Sequence, residues 1–271
     1  MLELNNISKS YNIGTVNQRQ IFDCFNLQIP NGQFLTIIGS NGSGKTSLLN
    51  LICGNIKPEA GTIKISQEER IHERIQTIEQ DLTYLPEHKR YVRIGRVFQD
   101  PAAGTCPSMT LRENLALADN KNKSWNLRRA VNPKREKFYQ EKLKMMDLGL
   151  ENKLDEIVGN FSGGERQAIA LLMATMMPID YLILDEHTAA LDPKAAENIM
   201  KLTARLVEDM NLTILMVTHN LNFALEYGER LIMLHQGEIL LEKTGEDKKR
   251  LELNDLLDKF FKISIEVGNA I

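Results

Sequence analysis

The stretch Gly39-Ser40-Asn41-Gly42-Ser43-Gly44-Lys45-Thr46 has the residue types and spacing to hold phosphate. It fits the pattern G-x-x-x-x-G-K-[ST]. Phosphate oxygens need several backbone N–H donors at once, and only glycine lets the chain curl close enough to supply them. Lys45 would neutralise phosphate charge, and the hydroxyl of Thr46 would ligate Mg²⁺. The flanks are right for this use. Phe34 to Ile38 reads as a buried strand, and Ser47 to Ile52 continues as a helix ending at Gly54. The positive N-terminal end of that helix would face the same phosphates.

Two further groups could do chemistry. Asp185 and Glu186 follow the apolar run Tyr181-Leu182-Ile183-Leu184. In phosphate-loop enzymes an acid at such a strand end helps hold Mg²⁺. A second carboxylate beside it can orient or deprotonate an attacking water. The pair would also suit an ordinary strand end with a helix cap. Ser162-Gly163-Gly164-Glu165 opens a helical stretch from Arg166 to Met177. It is either a second anion site at a helix N-terminus or a plain serine cap.

The elements that must position these groups alternate along the chain. Residues 2–38 alternate like strands, at Leu2 to Leu4, Ile21 to Ile29 and Phe34 to Ile38. Gly61 to Ile65 reads as a short strand. Residues 66–90 carry Glu68, Glu69, Arg70, Glu73 and Arg74, and suggest an exposed helix and loop. Ile94 to Phe98 reads as a strand ending at Gln99, and Ser108 to Met177 as helical. Apolar strands follow at Tyr181 to Leu184, Leu212 to Val217 and Arg230 to His235. Helices at about Pro193 to Met210 and Leu221 to Tyr227 separate them. Strands alternating with helices imply a parallel α/β sheet, which the helical block interrupts as an inserted subdomain. Leu253, Leu256, Leu257, Phe260 and Phe261 recur at helical spacing in the tail and suggest a docking helix.

Composition narrows the class. The chain has 271 residues, enough for one large domain or two small ones. A net charge of −3 gives no overall basic field for nucleic acid. Cys24, Cys53 and Cys106 are scattered, which suits a reducing compartment and argues against a disulfide frame or a zinc site. The first residues show neither a basic region nor a long apolar run, so no signal peptide is expected. The longest apolar stretch, Ala168 to Met177, is far short of the about 20 residues that span a bilayer. The chain is expected to be soluble by itself, which leaves room for a membrane-embedded partner.

The ordered set Gly39–Thr46, Gln99, Ser162-Gly163-Gly164-Glu165, Leu184-Asp185-Glu186, Ala190-Leu191-Asp192 and Thr218-His219 resembles that of an ABC transporter ATP-binding subunit, over about residues 1–242. The resemblance implies an α/β phosphate-loop core, an antiparallel β-subdomain and a helical subdomain inserted at about residues 104–177. Residues 243–271 would be a C-terminal helical tail. It also implies a head-to-tail homodimer sandwiching two ATP molecules with Mg²⁺. Residues Gly39 to Ser47 would cradle the phosphates, with Lys45 catalytic and Tyr11 stacked on adenine. Thr46, Gln99 and Asp185 would contact the metal, and Gln99 would also link to a membrane permease. Glu186 would be the catalytic base, and His219 would contact the γ-phosphate. Ser162, Gly163 and Gly164 would hold the nucleotide of the opposite subunit, with Asp192 on the loop between subunits. Such a subunit works on the cytoplasmic face of a bacterial membrane. Gln99 to Thr105 and His187 to Pro193 resemble a subgroup that accompanies a permease and an extracytoplasmic solute-binding protein. Some of its members are associated with aromatic amino acids such as tryptophan, which points to import. The alternative is an ATPase of an export or lipoprotein-release system.

Three positions depart from the commonest pattern of that family: Phe161 opens the signature, Glu165 closes it, and His187 follows the catalytic acid. None removes a group that the chemistry needs, though Glu165 adds negative charge near the γ-phosphate site. Two rivals lose ground on the same residues. Asn152-Lys153-Leu154-Asp155 matches a guanine-specifying pattern, but it follows a helical stretch rather than a buried strand. The basic stretch Lys121 to Lys142 has eight Lys or Arg against two Glu and reads as a solvated helical face. A soluble ABC ATPase acting on nucleic acid would carry a long coiled-coil insertion or two ATPase units, and neither occurs.

Overall fold

The computed structural model of the chain describes residues 1–71, 74–121, 123 and 131–268. The chain divides into two units: Met1–Tyr91 with Leu212–Ile271, and Val92–Asn211.

The first unit opens with β1 (Leu2–Tyr11), β2 (Arg19–Ile29), β3 (Phe34–Gly39) and helix α1 (Lys45–Cys53). It continues through β4 (Ala60–Ile71), β5 (Arg74–Asp81) and the short α2 (Glu87–Arg90). β1, β2, β4 and β5 form an antiparallel sheet in the order β2-β1-β4-β5. Alternation dictates it: Leu2, Leu4, Ile7, Ile63 and Ile65 are buried on one side of the pleat. The structure corrects the expectation for residues 66–81, while 82–90 form the loop and short helix expected. The charged segment pairs as strands from Lys64 opposite Asp81 to Ile71 opposite Arg74. Its charge run misleads a reading based on periodicity. Residues 72 and 73 lie outside the described residues, as do the side chains of 68–71 and 74–76, so the side chains of Glu68, Glu69, Arg70, Glu73 and Arg74 are not placed.

The second unit holds β6 (Ile94–Val97), α3 (Pro101–Gly104), α4 (Leu111–Asp119) and α5 (Glu136–Lys144). Then come α6 (Gly163–Thr175), β7 (Tyr181–Asp185) and α7 (Pro193–Met210). β6 and β7 pair in parallel, with Val97 opposite Leu184. α4 starts at a capping box of Thr110 and Glu113. α7 starts at Asp192 with Pro193 behind it and stops at Asn211 in the left-handed conformation. Part of the basic stretch, residues 122 and 124–130, lies outside the described residues.

The chain returns to the first unit with β8 (Thr213–Val217), α8 (Leu221–Glu226), β9 (Arg230–His235), β10 (Glu238–Thr244), α9 (Gly245–Lys249) and α10 (Leu253–Gly268). β3 lies between β8 and β9, parallel to both, and β10 is antiparallel to β9. β3 and β8 are buried throughout, as parallel strands covered on both faces must be. Leu256 of α10 is fully buried in a cluster with Ile38, Ala224, Leu231 and Met233. The tail helix thus docks through that residue, while Phe261 is 65% exposed.

Candidate functional site

In the first unit the phosphate loop leaves the carboxyl end of β3. Gly39, at φ 153°, approaches β9 so closely that a Cβ there would lie 2.3 Å from the Leu234 carbonyl oxygen. Gly44 stands at the N-cap of α1 with φ 107° and supplies no side-chain cap. That conformation is open to glycine and strained for other residues. The helix therefore begins without a side-chain cap from its N-cap residue. Lys45 is buried and folds back on its own loop, donating to the carbonyl oxygens of Gly39 at 2.8 Å and Ser40 at 3.0 Å. The hydroxyl of Ser43 is buried and finds no hydrogen-bond partner among the described residues, a rare state for a polar atom. Ser40 is half-buried, while Asn41, Gly42 and Thr46 are exposed.

Two more expected residues lie beside this loop. The Tyr11 hydroxyl at the end of β1 is 3.3 Å from Ser47 Oγ in the first turn of α1. Its ring is partly exposed, with the Lys9 ammonium 5.7 Å from its centroid. His219 leaves the carboxyl end of β8. There the Thr218 N–H donates to the Ile37 carbonyl oxygen of the strand that feeds the loop. The carboxyl edge of parallel strands is where such folds bind ligands.

The far end of α1 is clamped. The guanidinium of Arg90 is buried and donates to the carbonyl oxygens of Leu51 at 2.6 Å and Ile52 at 2.9 Å. It also donates to Leu85 and Thr83. Sequence reading placed Arg90 in an exposed charge run, and only the fold reveals it as a helix anchor.

The second unit carries the acids and the serine-glycine turn. Because β6 and β7 are parallel, Gln99 and the pair Asp185–Glu186 emerge from the same strand ends. Glu186 sits at φ 49°, unusual for a residue with a long side chain. Asp185 accepts a 2.7 Å hydrogen bond at Oδ2 from the Arg96 guanidinium. His187 is buried, with Nε2 3.4 Å from Thr203 Oγ1. Burial pulls its pKa down to about 4, so the ring is neutral near pH 7. It packs beside Thr203 of α7.

Ser162 caps α6 in a closed capping box. Its N–H and its hydroxyl each donate to Glu165 Oε2 at 2.8 Å, and its oxygen accepts from the Glu165 N–H. Lys153 donates to the other oxygen of Glu165 at 3.2 Å. Burial pushes the Glu165 carboxyl up, but the hydrogen bonds from Ser162 and Lys153 outweigh it and hold the pKa below the ordinary value. The negative charge that Glu165 adds is thus partly offset on site. Gly163 and Gly164 pack against α7 and the loop before it: a Cβ on Gly164 would lie 3.1 Å from that of Ala195. Asp192 is exposed and accepts from the Ala195 N–H at 3.1 Å, capping α7. The rest of the guanine-type pattern is spent on structure, since Asp155 pairs with Arg112.

The expected residues therefore gather in two clusters, one in each unit. Tyr11, Gly39 to Ser47 and His219 are in the first. Gln99, Ser162 to Gly164, Asp185, Glu186 and Asp192 are in the second. Among the described residues no group of three or more His, Cys, Asp or Glu is placed to hold a metal by itself. No described helix is long and apolar enough to cross a membrane.

Residues 22–189 match the family model for ABC transporter. The chain belongs to the ABC transporter family. It is an ATP-hydrolysing cassette, the ATP-binding subunit of a transporter, with the phosphate-loop ABC ATPase fold. It is 44% identical over 260 residues to a tyrosine transport ATP-binding protein of Clostridioides difficile, covering 96% of this chain and 98% of that one. It is 30% identical to the energy-coupling factor transporter ATP-binding protein EcfA2 of Staphylococcus aureus, covering 93% and 84%. Its fold matches a dimeric post-hydrolysis ATP-binding cassette, MJ0796, bound to ADP and Pi. That match has a TM-score of 0.70 and 31% identity, over 90% of this chain and 98% of that one.

Proposed function

We propose that this cassette energises import of a small solute such as an amino acid, with aromatic amino acids the favoured class. Two features support this. The relative from Clostridioides difficile carries the words tyrosine transport in its name and matches almost end to end. The runs after Gln99 and after Glu186 point to the same subgroup. The working unit is a homodimer around two ATP molecules on the cytoplasmic face of the membrane. It is coupled through the Gln99 surface to integral permease subunits, with a solute-binding protein on the far side. Residues 1–242 form the ATP-binding domain, with the helical subdomain of about 104–177 inserted, and 243–271 form the tail.

Within each subunit, Tyr11 stacks on adenine and Gly39 to Ser47 cradle the phosphates. The uncapped start of α1 and the unpartnered Ser43 hydroxyl fit an anion bound there. Mg²⁺ suits the oxygen donors of Thr46, Gln99 and Asp185. Magnesium is held by one or two carboxylates plus the phosphates of the substrate rather than by an all-protein cage. It would supply charge neutralisation at the transferring phosphoryl group. Ser162, Gly163 and Gly164 face the partner's nucleotide, and Asp192 lies on the loop between subunits. His219 contacts the γ-phosphate.

The observation that carries the assignment of the base is the backbone of Glu186. A left-handed conformation in a non-glycine residue directly after a buried strand costs roughly 1–3 kcal/mol and collects at functional sites. A positioned base contributes about 10²–10⁴-fold in rate. Glu186→Gln should keep ATP binding, slow hydrolysis by about that factor, and trap an ATP-bound dimer detectable by size-exclusion chromatography. Hydrolysis at the parental rate would refute the assignment.

A further inference from the structure

β6 is an apolar strand with one charged residue in it. Ile94, Gly95 and Val97 are buried, and between them Arg96 keeps a side chain only 5% exposed. Burying a guanidinium is costly unless its hydrogen bonds are met. In this strand it meets one particular acid. Arg96 stands opposite Ile183 in the parallel register and reaches along β7 to the strand-end carboxylate. There it donates to Asp185 Oδ2 at 2.7 Å, and the carboxylate is itself only 15% exposed. The guanidinium also lies over the Phe98 ring, 4.7 Å from its centroid. Phe98 immediately precedes Gln99, and its carbonyl oxygen is held by the Gln167 side chain of α6 at 3.1 Å. One side chain therefore touches both the acid and the segment that presents Gln99.

A buried ion pair is weak evidence for stability, because an apolar residue of similar size often serves as well or better. What an arginine adds is direction. Its planar fork aims a charged N–H at one carboxylate oxygen, which an apolar neighbour cannot do. We infer that Arg96 is a positioning residue for magnesium: it holds Oδ2 of Asp185 and leaves Oδ1 to face the ion, while its stacking on Phe98 keeps Gln99 in register with that carboxylate. The inference rests on the reading of Asp185 as a magnesium contact. Partners that orient a metal-binding carboxylate are typically worth about 10–100-fold in metal affinity or activity.

The test separates magnesium from nucleotide. ATP binding by the full chain is measured calorimetrically, once with excess Mg²⁺ and once with EDTA. The ratio of the two affinities is the magnesium gain. Arg96→Met keeps the length and removes the charge. It should cut the magnesium gain by about tenfold or more, while affinity in EDTA, carried by Gly39 to Thr46, stays within about twofold. Arg96→Lys keeps the charge without the fork and should retain part of the gain. A magnesium gain at or above the parental value in Arg96→Met overturns the inference. If that variant does not fold, Arg96→Lys decides, since an undiminished gain there overturns it equally. Asp185→Asn tells the two readings apart. If it too keeps the parental gain, the assignment of Asp185 to magnesium has failed. If it loses the gain and Arg96→Met does not, Asp185 stands and Arg96 falls.

Discussion

Helices α1 and α6 both begin at glycine-rich turns, and they finish those turns in opposite ways. α1 starts at Gly44 without any side-chain cap, and its hold on the protein is at the other end, where Arg90 binds the carbonyl oxygens of Leu51 and Ile52. α6 starts at a closed capping box, with Ser162 and Glu165 satisfying one another and Lys153 balancing the carboxylate. The difference teaches what each end can do. At α1 a phosphate meets donors that no side chain of the helix cap occupies. At α6 an anion must draw the Ser162 hydroxyl away from Glu165 before it is held. On the proposed reading, α1 binds nucleotide within the lone subunit, and α6 engages only when a second subunit delivers one.

The largest expected effect is on the clamp. Arg90→Met leaves the carbonyl oxygens of Leu51, Ile52, Thr83 and Leu85 without their buried donor. Each unmet buried group costs about 1–3 kcal/mol, so stability should fall by at least about 3 kcal/mol in urea denaturation. A loss below about 1 kcal/mol, the size of an ordinary cap, would mean that α1 is not held from its tail.

Next comes nucleotide binding. Lys45→Ala removes a charged donor whose hydrogen bonds are worth about 1.5–3 kcal/mol each. ATP affinity of the monomer should fall about 100-fold. Ser162→Ala at the same dilution should leave it within about twofold. Equal losses from the two variants would erase the proposed contrast between the helix ends.

The smallest effect concerns the α6 cap. Glu165→Gln should lower stability by under about 1 kcal/mol at neutral pH. The folded pKa of Glu165 lies below its unfolded value of 4.5. The carboxylate's contribution is therefore complete above that value and lost as pH falls through the folded pKa. The thermal-melting gap between parent and Glu165→Gln should be open at pH 6 and close on acidification below pH 4.5. A gap that stays constant would place the cap's strength in geometry rather than charge.

Much of this was legible in the sequence, for a physical reason. The phosphate loop, the strand-end acids and the serine-glycine turn are local patterns whose chemistry demands fixed residues at fixed spacing. The central strands announced themselves as short apolar runs, and Leu256 as part of a periodic tail. What stayed hidden was non-local. The arm formed by β4 and β5 carries its charges in a consecutive run, Glu68-Glu69-Arg70, without the alternation that marks a strand, so it read as a helix and loop. Arg90 looked like a member of an ordinary charge run, and Lys153 like part of a chance guanine-type pattern, until the fold brought Leu51 and Glu165 to them. Arg96 did leave a signal, a lone cation inside an apolar strand, but its partner lies on another strand across 89 residues of sequence.

The central claim is that the α6 end of one subunit completes the site at the α1 end of the other. Mixing a Lys45→Ala chain with a Ser162→Arg chain tests it most directly. Each chain alone should be inactive, because every site in its homodimer carries a defect. The heterodimer has one site carrying both defects and one carrying neither, so ATP hydrolysis should partly return in the mixture. A Ser162→Arg chain that hydrolyses ATP by itself at the parental rate would contradict the account.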